Sequence, residues 1–111
     1  MSRRDDATSL QQMLEHALEL TALVRGKSLH DFERDRILEL AAVRLLQIVG
    51  EAAGRVSEKR QAAHPEIPWA KIRGMRNIVV HVYDAVDLEQ VWRTIEIDLP
   101  ALIRQLERIL R

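Results

Sequence analysis

Three side chains suited to phosphate chemistry lie close together in the segment Arg76-Asn77-Ile78-Val79-Val80-His81-Val82-Tyr83. The guanidinium of Arg76 is a permanent cation whose planar donors match the oxygens of a phosphate. The imidazole of His81 titrates near neutral pH, so it is well suited to accept and release protons there. Tyr83 adds a phenol hydroxyl. The segment therefore combines a phosphate binder with an acid/base, among β-branched apolar residues.

The length of 111 residues fits one domain that spans residues 1–111, and 31% charged with 4% aromatic residues suits a helical protein. The chain has no cysteine, which excludes disulfides. Lys and Arg balance Asp and Glu at 17 each, so the overall charge gives no support for nucleic-acid binding. Charge is less even locally, since residues 52–83 carry a net charge of +4 when histidines are taken as neutral. No apolar run reaches the roughly 20 residues of a membrane span, and the N-terminus does not resemble a signal peptide. We therefore expect a cytoplasmic protein with no membrane partner.

Apolar residues recur at helical spacing along most of the chain, which predicts an all-α fold. The first helix is expected over about residues 6–25, with Gly26 as its C-cap. Residues 28–31 (Ser-Leu-His-Asp) form a capping-box pattern that opens a second, long helix. This helix is expected to run to about Ala62 and to stop before the two prolines of residues 64–68.

The third and fourth helices follow that proline-rich loop. The third is expected to begin near Trp69 and to continue through the motif, although residues 78–80 alone resemble a strand that would have no partner. Asp87 is expected to be the N-cap of the fourth helix. Because Pro100 removes a backbone donor, we expect a kink or break near residues 97–100. Short connections between four helices predict an up-and-down four-helix bundle.

On an ideal third helix the motif side chains share one face. At about 100° per residue, the core face is formed by Ile72, Met75, Val79 and Val82, with the polar residues Arg73, Arg76, Asn77, His81 and Tyr83 opposite. Arg76 and His81 would still be about 140° apart around such a helix. They can converge only if the helix ends or distorts near His81, or if a second chain supplies one of them.

Two glycines in the second helix, Gly50 and Gly54, share a face by their i, i+4 spacing. Each destabilises a helix interior by about 1 kcal/mol relative to alanine, so a structural reason is expected. One interpretation is close packing of another helix against this face. The other is that the glycines form the floor of a groove beside the motif helix, with Glu51 at its edge.

The pattern Arg76-x4-His81-x-Tyr83 resembles the signature of HEPN-domain proteins, in particular the HepT-like toxins of toxin–antitoxin pairs. The resemblance extends over about residues 13–110. The blocks that carry it outside the motif are Ile48-Val49-Gly50-Glu51-Ala52-Ala53, Pro68-Trp69, Gly74-Met75-Arg76-Asn77, Val91-Trp92-Arg93-Thr94-Ile95 and Asp98-Leu99-Pro100.

The resemblance implies a metal-independent endoribonuclease that acts as a homodimer on an RNA substrate without a cofactor, with Arg76 and His81 as the catalytic pair. RNA cleavage needs a base and an acid, yet each chain offers one motif histidine. A two-fold dimer with both motifs in one cleft would supply two. The motif tyrosine is similar to one that a minimal nucleotidyltransferase antitoxin modifies with AMP. Tyr83 is thus expected to be the regulatory residue of a type VII-like toxin–antitoxin pair.

Three further residues are candidates for supporting or RNA-binding roles. Asn77 is expected to orient His81, and Arg73 to contact RNA phosphates, although both fit equally well as surface residues. Glu51 is the third candidate. No metal is expected, because the histidines outside the motif are not grouped with Asp or Glu at ligand spacing.

Two alternatives to a ribonuclease remain open from the sequence. The first is a non-catalytic HEPN module that docks a nucleotidyltransferase and holds a nucleotide or RNA with the same Arg and His. The second is a purely structural helical dimer. The ribonuclease is favoured because Arg76, His81 and Tyr83 are all present.

Overall fold

The structure, a computed structural model, describes the backbone of residues 3–78 and 85–111, and the side chains of residues 5–78 and 88–111. Every regular element in these ranges is helical, which confirms the predicted all-α bundle. The helices are α1 (Arg3–Val24), α2 (Leu29–Glu33), α3 (Arg36–Arg55), α4 (Glu58–Ala62), α5 (Trp69–Gly74), α6 (Ala85–Arg93) and α7 (Leu99–Ile109), with a 3-10 turn at Met75–Asn77 and a π-helical turn at Thr94–Asp98.

The first helix and its end are as predicted. α1 covers nearly the expected residues, and Gly26 follows it with a φ of 76°, a left-handed conformation that glycine adopts without strain. The amide of Lys27 donates to the carbonyl of Val24 at 2.9 Å, which closes the last turn. Gly26 is therefore the C-terminal stop of this helix.

The predicted long second helix is wrong, because it is divided into α2, α3 and α4. The capping box is present, since the Ser28 amide donates to Asp31 Oδ2 at 2.9 Å and the Asp31 amide to Ser28 Oγ at 3.1 Å. However, it opens only the short helix α2. The chain then becomes extended at Asp35, whose carboxylate accepts a hydrogen bond from the Leu38 amide at 3.0 Å and caps α3.

The second break, between α3 and α4, depends on a contact with α1. The backbone amide and hydroxyl of Ser57 donate to the two carboxylate oxygens of Asp6, at 2.9 and 2.7 Å. The same hydroxyl accepts from the Arg60 amide and so caps α4. Because the start of α1 meets the end of α3 here, these two helices are antiparallel. The hydrogen bonds from Ser57 also lower the pKa of the Asp6 carboxyl.

The third helix begins at Trp69, as predicted, but it is short. α5 continues into the 3-10 turn, and Ile78 then has φ −65° and ψ 127°, which is extended backbone. The predicted continuation of the helix through the motif is therefore wrong at Ile78. The rest of that prediction falls on residues 79–84, which lie outside the described residues.

The last helical region starts earlier than predicted and contains the expected distortion. Asp87 lies within α6 and is not its N-cap. α6, the π-helical turn and α7 follow one another directly, and the turn immediately precedes the start of α7, where Pro100 lies. Because Pro100 has no amide hydrogen, it cannot donate the regular helical hydrogen bond to the turn before it, which is where the π-helical turn lies. The predicted irregularity near Pro100 is thus confirmed as a π-helical turn.

Buried apolar residues from each helix except α4 form one hydrophobic cluster. Ile72 and Met75, predicted for the core face of the third helix, are both buried. Trp69 is buried as well, and the ring centroids of Phe32 and Trp92 lie 5.1 Å apart, which joins α2 to α6. In the described ranges, no helix is both long enough and apolar enough to cross a membrane.

Candidate active site

The backbone of α5 and its 3-10 turn passes directly over Gly50 of α3. A Cβ atom at Gly50 would overlap the amide nitrogen of Arg76, and it would lie 3.0 Å from the Ile72 carbonyl oxygen and 3.1 Å from the Met75 carbonyl carbon. These are backbone atoms of one helical segment, so they cannot move separately. Gly50 therefore allows the close packing that the first interpretation of the glycine pair predicted.

Gly54 meets the arginine side chain instead of the backbone. A Cβ atom there would lie 3.2 Å from Nη1 of Arg76. This glycine is one wall of an open cavity of about 670 Å³, called here the arginine groove, which is lined by Gly54, Val56, Glu58, Gln61, Ala62, Trp69, Arg73 and Arg76. The groove interpretation thus holds for Gly54, and the packing interpretation for Gly50.

Arg76 is exposed on the 3-10 turn at the groove. Its backbone is fixed by the crossing at Gly50, whereas its guanidinium makes no hydrogen bond or ion pair with another described residue. An arginine whose backbone is fixed in this way is suited to a phosphate, which it can bind through two parallel charge-assisted hydrogen bonds.

Arg73 lines the same groove but is held in place. Its Nη1 donates to Oε1 of Gln61, a residue of α4. The amide nitrogen of Gln61 in turn donates to the carbonyl of Val56 at 2.9 Å and to that of Ala53 at 3.4 Å. Gln61 is therefore anchored to the end of α3 and fixes the partly buried Arg73 beside the groove.

The chain that leads from Arg76 toward His81 is anchored by α3. The amide of Ile78 donates to the Met75 carbonyl at 3.2 Å, and the Ile78 carbonyl accepts from Nε2 of Gln47 at 2.7 Å. Because the backbone leaves the helix at Ile78, the 140° separation calculated for an ideal helix does not apply. His81 and Tyr83 lie outside the described residues.

Glu51 and Asn77 are both at the surface near this crossing. Glu51 accepts from Nη1 of Arg44 at 3.0 Å, and the same nitrogen donates to Oε1 of Gln47 at 3.3 Å. Glu51 is thus linked through two side chains to the Ile78 carbonyl, and it does not line the arginine groove. Asn77 is exposed in the last position of the 3-10 turn. The structure brings Arg73 and Arg76 together in one groove.

Gln47 and Gln61 are the residues of this region that the sequence did not reveal. Both lie in the span predicted as one long helix, where an isolated glutamine is an ordinary surface residue. The break that brings Gln61 to Arg73 does have a local signal, because Ser57 is a favoured N-cap residue. No sequence signal indicates which residues the two amides bind.

The site offers cations and amides, with one carboxylate, Glu58, on the groove wall. Within the described side chains, no group of three or more histidine and acidic residues lies close enough to hold a metal ion. Arg73 and Arg76 give the described part of the site two guanidinium groups, which can donate to anionic oxygen atoms.

Comparison with known proteins gives a consistent result. The family model described as ribonuclease HepT-like matches residues 13–109. TTE0752, a candidate RNase of Caldanaerobacter subterraneus subsp. tengcongensis, is 37% identical over 88% of this chain and 91% of its own length. The probable ribonuclease HepT of Thermococcus cleftensis is 32% identical over 97% of this chain and 96% of its own.

A more distant relative is MJ1380, a candidate RNase of Methanocaldococcus jannaschii, which is 28% identical over 96% of this chain and 98% of its own length. No solved structure matches the chain. The family match covers most of the chain, including α3, the arginine groove and the Arg76 motif. The chain therefore belongs to the HepT-like ribonuclease family.

Proposed function

We propose that this protein is a metal-independent endoribonuclease toxin in which Arg76 and His81 cleave RNA. The observation that carries the proposal is the state of Arg76, which is fixed by its backbone over Gly50 and exposed, with a guanidinium that pairs with no other described side chain. A cation in this state, held on a rigid helix crossing, is ready to bind the phosphate of a substrate. Family membership supports RNA as that substrate.

The reaction proceeds by internal attack within the RNA. A base removes the proton of a ribose 2′-hydroxyl, whose oxygen attacks the neighbouring phosphorus. The bond from phosphorus to the 5′-oxygen of the next nucleotide then breaks, and an acid protonates that leaving oxygen. The products are a 2′,3′-cyclic phosphate and a 5′-hydroxyl, and the reaction needs neither a metal nor an external nucleophile.

His81 takes the role of base or acid, and Arg76 stabilises the charge on the phosphate. General acid–base catalysis contributes about 10²- to 10⁴-fold in rate. The second proton-transfer group is His81 of another copy of the chain, so the active form is a homodimer with both motifs in one cleft. Activity should then fall when the protein is diluted below the concentration at which the dimer dissociates.

The three supporting residues, Glu51, Asn77 and Arg73, have different roles. Glu51 acts indirectly, because it binds Arg44, which binds the Gln47 amide that holds the Ile78 carbonyl. Asn77 orients the His81 imidazole, and Arg73 contacts RNA.

Tyr83 is the regulatory residue, to which a minimal nucleotidyltransferase antitoxin attaches AMP. The added anion would counteract the positive charge of the cleft and block it.

The test is cleavage of single-stranded RNA by the purified protein in the presence of a chelator. Arg76→Ala should lower the rate by about 10²- to 10³-fold, as for removal of other donors to a developing negative charge. His81→Ala should lower it by a similar factor. Arg104→Ala is a matched control, because Arg104 is an exposed arginine on α7, outside the groove.

Three results would contradict the proposal or one of its parts. Wild-type protein that binds RNA but leaves it intact would indicate the non-catalytic HEPN module instead. Cleavage that persists at the wild-type rate in both Arg76→Ala and His81→Ala would remove the proposed catalytic pair. A well-folded monomer that cuts RNA as fast as the dimer would refute the shared cleft.

A further inference from the structure

The hydrogen bond between Arg73 and Gln61 differs in kind from the ion pairs elsewhere on the surface. Arg44 pairs with Glu51 and Lys71 with Asp98, so those cations are neutralised. The partner of Arg73 is a neutral amide. A neutral acceptor fixes the position of a guanidinium and leaves its positive charge available to an anion.

Gln61 itself is fixed by the backbone. Its amide group donates to two carbonyls at the end of α3, those of Ala53 and Val56, and this leaves its oxygen turned to Arg73. A long, flexible arginine would otherwise lose conformational freedom on binding a ligand, which weakens the binding. The hydrogen bond that Arg73 donates to Gln61 already restricts the Arg73 side chain in the free protein.

We propose that Gln61 is a positioning residue, which holds Arg73 at the groove so that it binds an RNA phosphate next to the one held by Arg76. This inference rests on the proposed function, because it takes RNA as the ligand. It adds a subsite on the α4 side of the groove, which Gln61 and Trp69 line, for the sugar–phosphate backbone of a single-stranded RNA.

The salt dependence of RNA binding distinguishes positioning from a merely structural role. Removing one cation that binds a phosphate of a single strand reduces the slope of log affinity against log salt by about 0.7. Arg73→Ala should show this reduction. Gln61→Ala removes no charge, yet it should lower affinity by about two- to tenfold and flatten the slope in the same direction. The double variant should bind no more weakly than Arg73→Ala alone.

The probe is a single-stranded RNA oligonucleotide with 2′-O-methyl riboses, which cannot be cleaved, and binding is followed by fluorescence anisotropy at several salt concentrations. Gln105→Ala is the matched control, because Gln105 also donates its amide to a backbone carbonyl, that of Glu66, at 2.9 Å. It should leave the slope unchanged. If circular dichroism shows that Gln61→Ala is unfolded, Gln61→Met replaces it. Methionine keeps the length of the side chain and adds no charge, but it has neither the oxygen that accepts from Arg73 nor the nitrogen that donates to α3, so the slope should again flatten.

The inference is overturned if Arg73→Ala flattens the slope and Gln61→Ala does not, or if neither does. The proposed function is tested separately with an unmodified oligonucleotide of the same sequence. If wild-type protein binds the methylated RNA with the expected slopes but leaves the unmodified RNA uncut, the ribonuclease proposal fails and the role of Gln61 stands. If the unmodified RNA is cut but the variants do not change the slope, the ribonuclease proposal stands and the positioning role of Gln61 fails.

Discussion

The crossing of α3 with the backbone of the arginine segment can be tested without any assay of function, by substituting its glycines with alanine. At Gly50 the new Cβ would overlap the amide nitrogen of Arg76 and press on the carbonyl groups of Ile72 and Met75. At Gly54 the nearest atom would be Nη1 of Arg76, at 3.2 Å, which is the end of a flexible side chain. The two substitutions are chemically identical but meet different neighbours.

Their expected effects on the free energy of unfolding have opposite signs. Alanine is better than glycine in a helix interior by about 1 kcal/mol, and both positions gain this. Overpacking that forces the backbone to shift destabilises by about 1–3 kcal/mol, and occasionally by more. The Gly50→Ala variant should therefore be less stable than wild type by up to about 2 kcal/mol, or more if the segment cannot shift. Gly54→Ala should be neutral or more stable by up to about 1 kcal/mol.

Thermal unfolding followed by circular dichroism measures both effects, at one fixed protein concentration because a dimer would unfold in a concentration-dependent way. For a chain of this length, 1 kcal/mol corresponds to roughly 4 °C in Tm. Gly74→Ala is the control for helix propensity, since nothing lies within 4 Å of a Cβ there, and it should be no less stable than wild type. If Gly50→Ala melts at or above the temperature of Gly54→Ala, the close backbone approach is wrong.

Three further predictions concern other parts of the molecule. Asp6→Asn should lower stability at pH 7, because it weakens the two hydrogen bonds from Ser57. The pKa of Asp6 is lowered from its ordinary value of 3.8, so its charged carboxylate stabilises the fold fully above pH 3.8. This stabilisation is lost as the pH falls through the folded-state pKa. The unfolding curves of variant and wild type should therefore converge in acid. Gln47→Ala should lower kcat for RNA cleavage with little change in KM, because it releases the Ile78 carbonyl, three residues before the motif histidine. An unchanged kcat would show that this hydrogen bond does not contribute to catalysis. Tyr83→Phe should remain an active ribonuclease that gains no AMP from its cognate nucleotidyltransferase by mass spectrometry, and AMP found at another residue with full inhibition would contradict this.

The parts of the fold that the sequence predicted correctly are specified by local signals. Gly26 ends α1 because the left-handed conformation there favours glycine, and the Ser28 box forms from residues only three apart. The two prolines before Trp69 set the start of α5. For the site, the sequence identified the cationic segment and the small residues that face it. Each of these features depends on neighbours in sequence or on the helical period.

The errors arise where a contact distant in sequence decides the local structure. The apolar stripe of α3 reaches Val56, the residue before Ser57, and both Ala52 and Val56 are buried, so periodicity alone gives no sign that the helix ends there. The break depends on Asp6, which is 51 residues away in sequence. Similarly, the end of the third helix coincides with the hydrogen bond that Gln47 donates to Ile78. Neither partner can be identified from spacing.

The break between α3 and α4 also explains how a residue so far along the chain can serve the groove. If the helix were continuous, Gln61 would lie on the same face as Gly54 but about 10 Å farther along the axis, because each residue adds 1.5 Å. Its amide could not then reach the Ala53 carbonyl, to which it donates at 3.4 Å in the structure. The turn at Ser57 folds α4 back, and Asp6 fixes that turn from α1. A carboxylate at the start of the chain thus determines where Arg73 is held, so Asp6→Asn should weaken RNA binding at pH 7 through Gln61, even though it makes the net charge more positive.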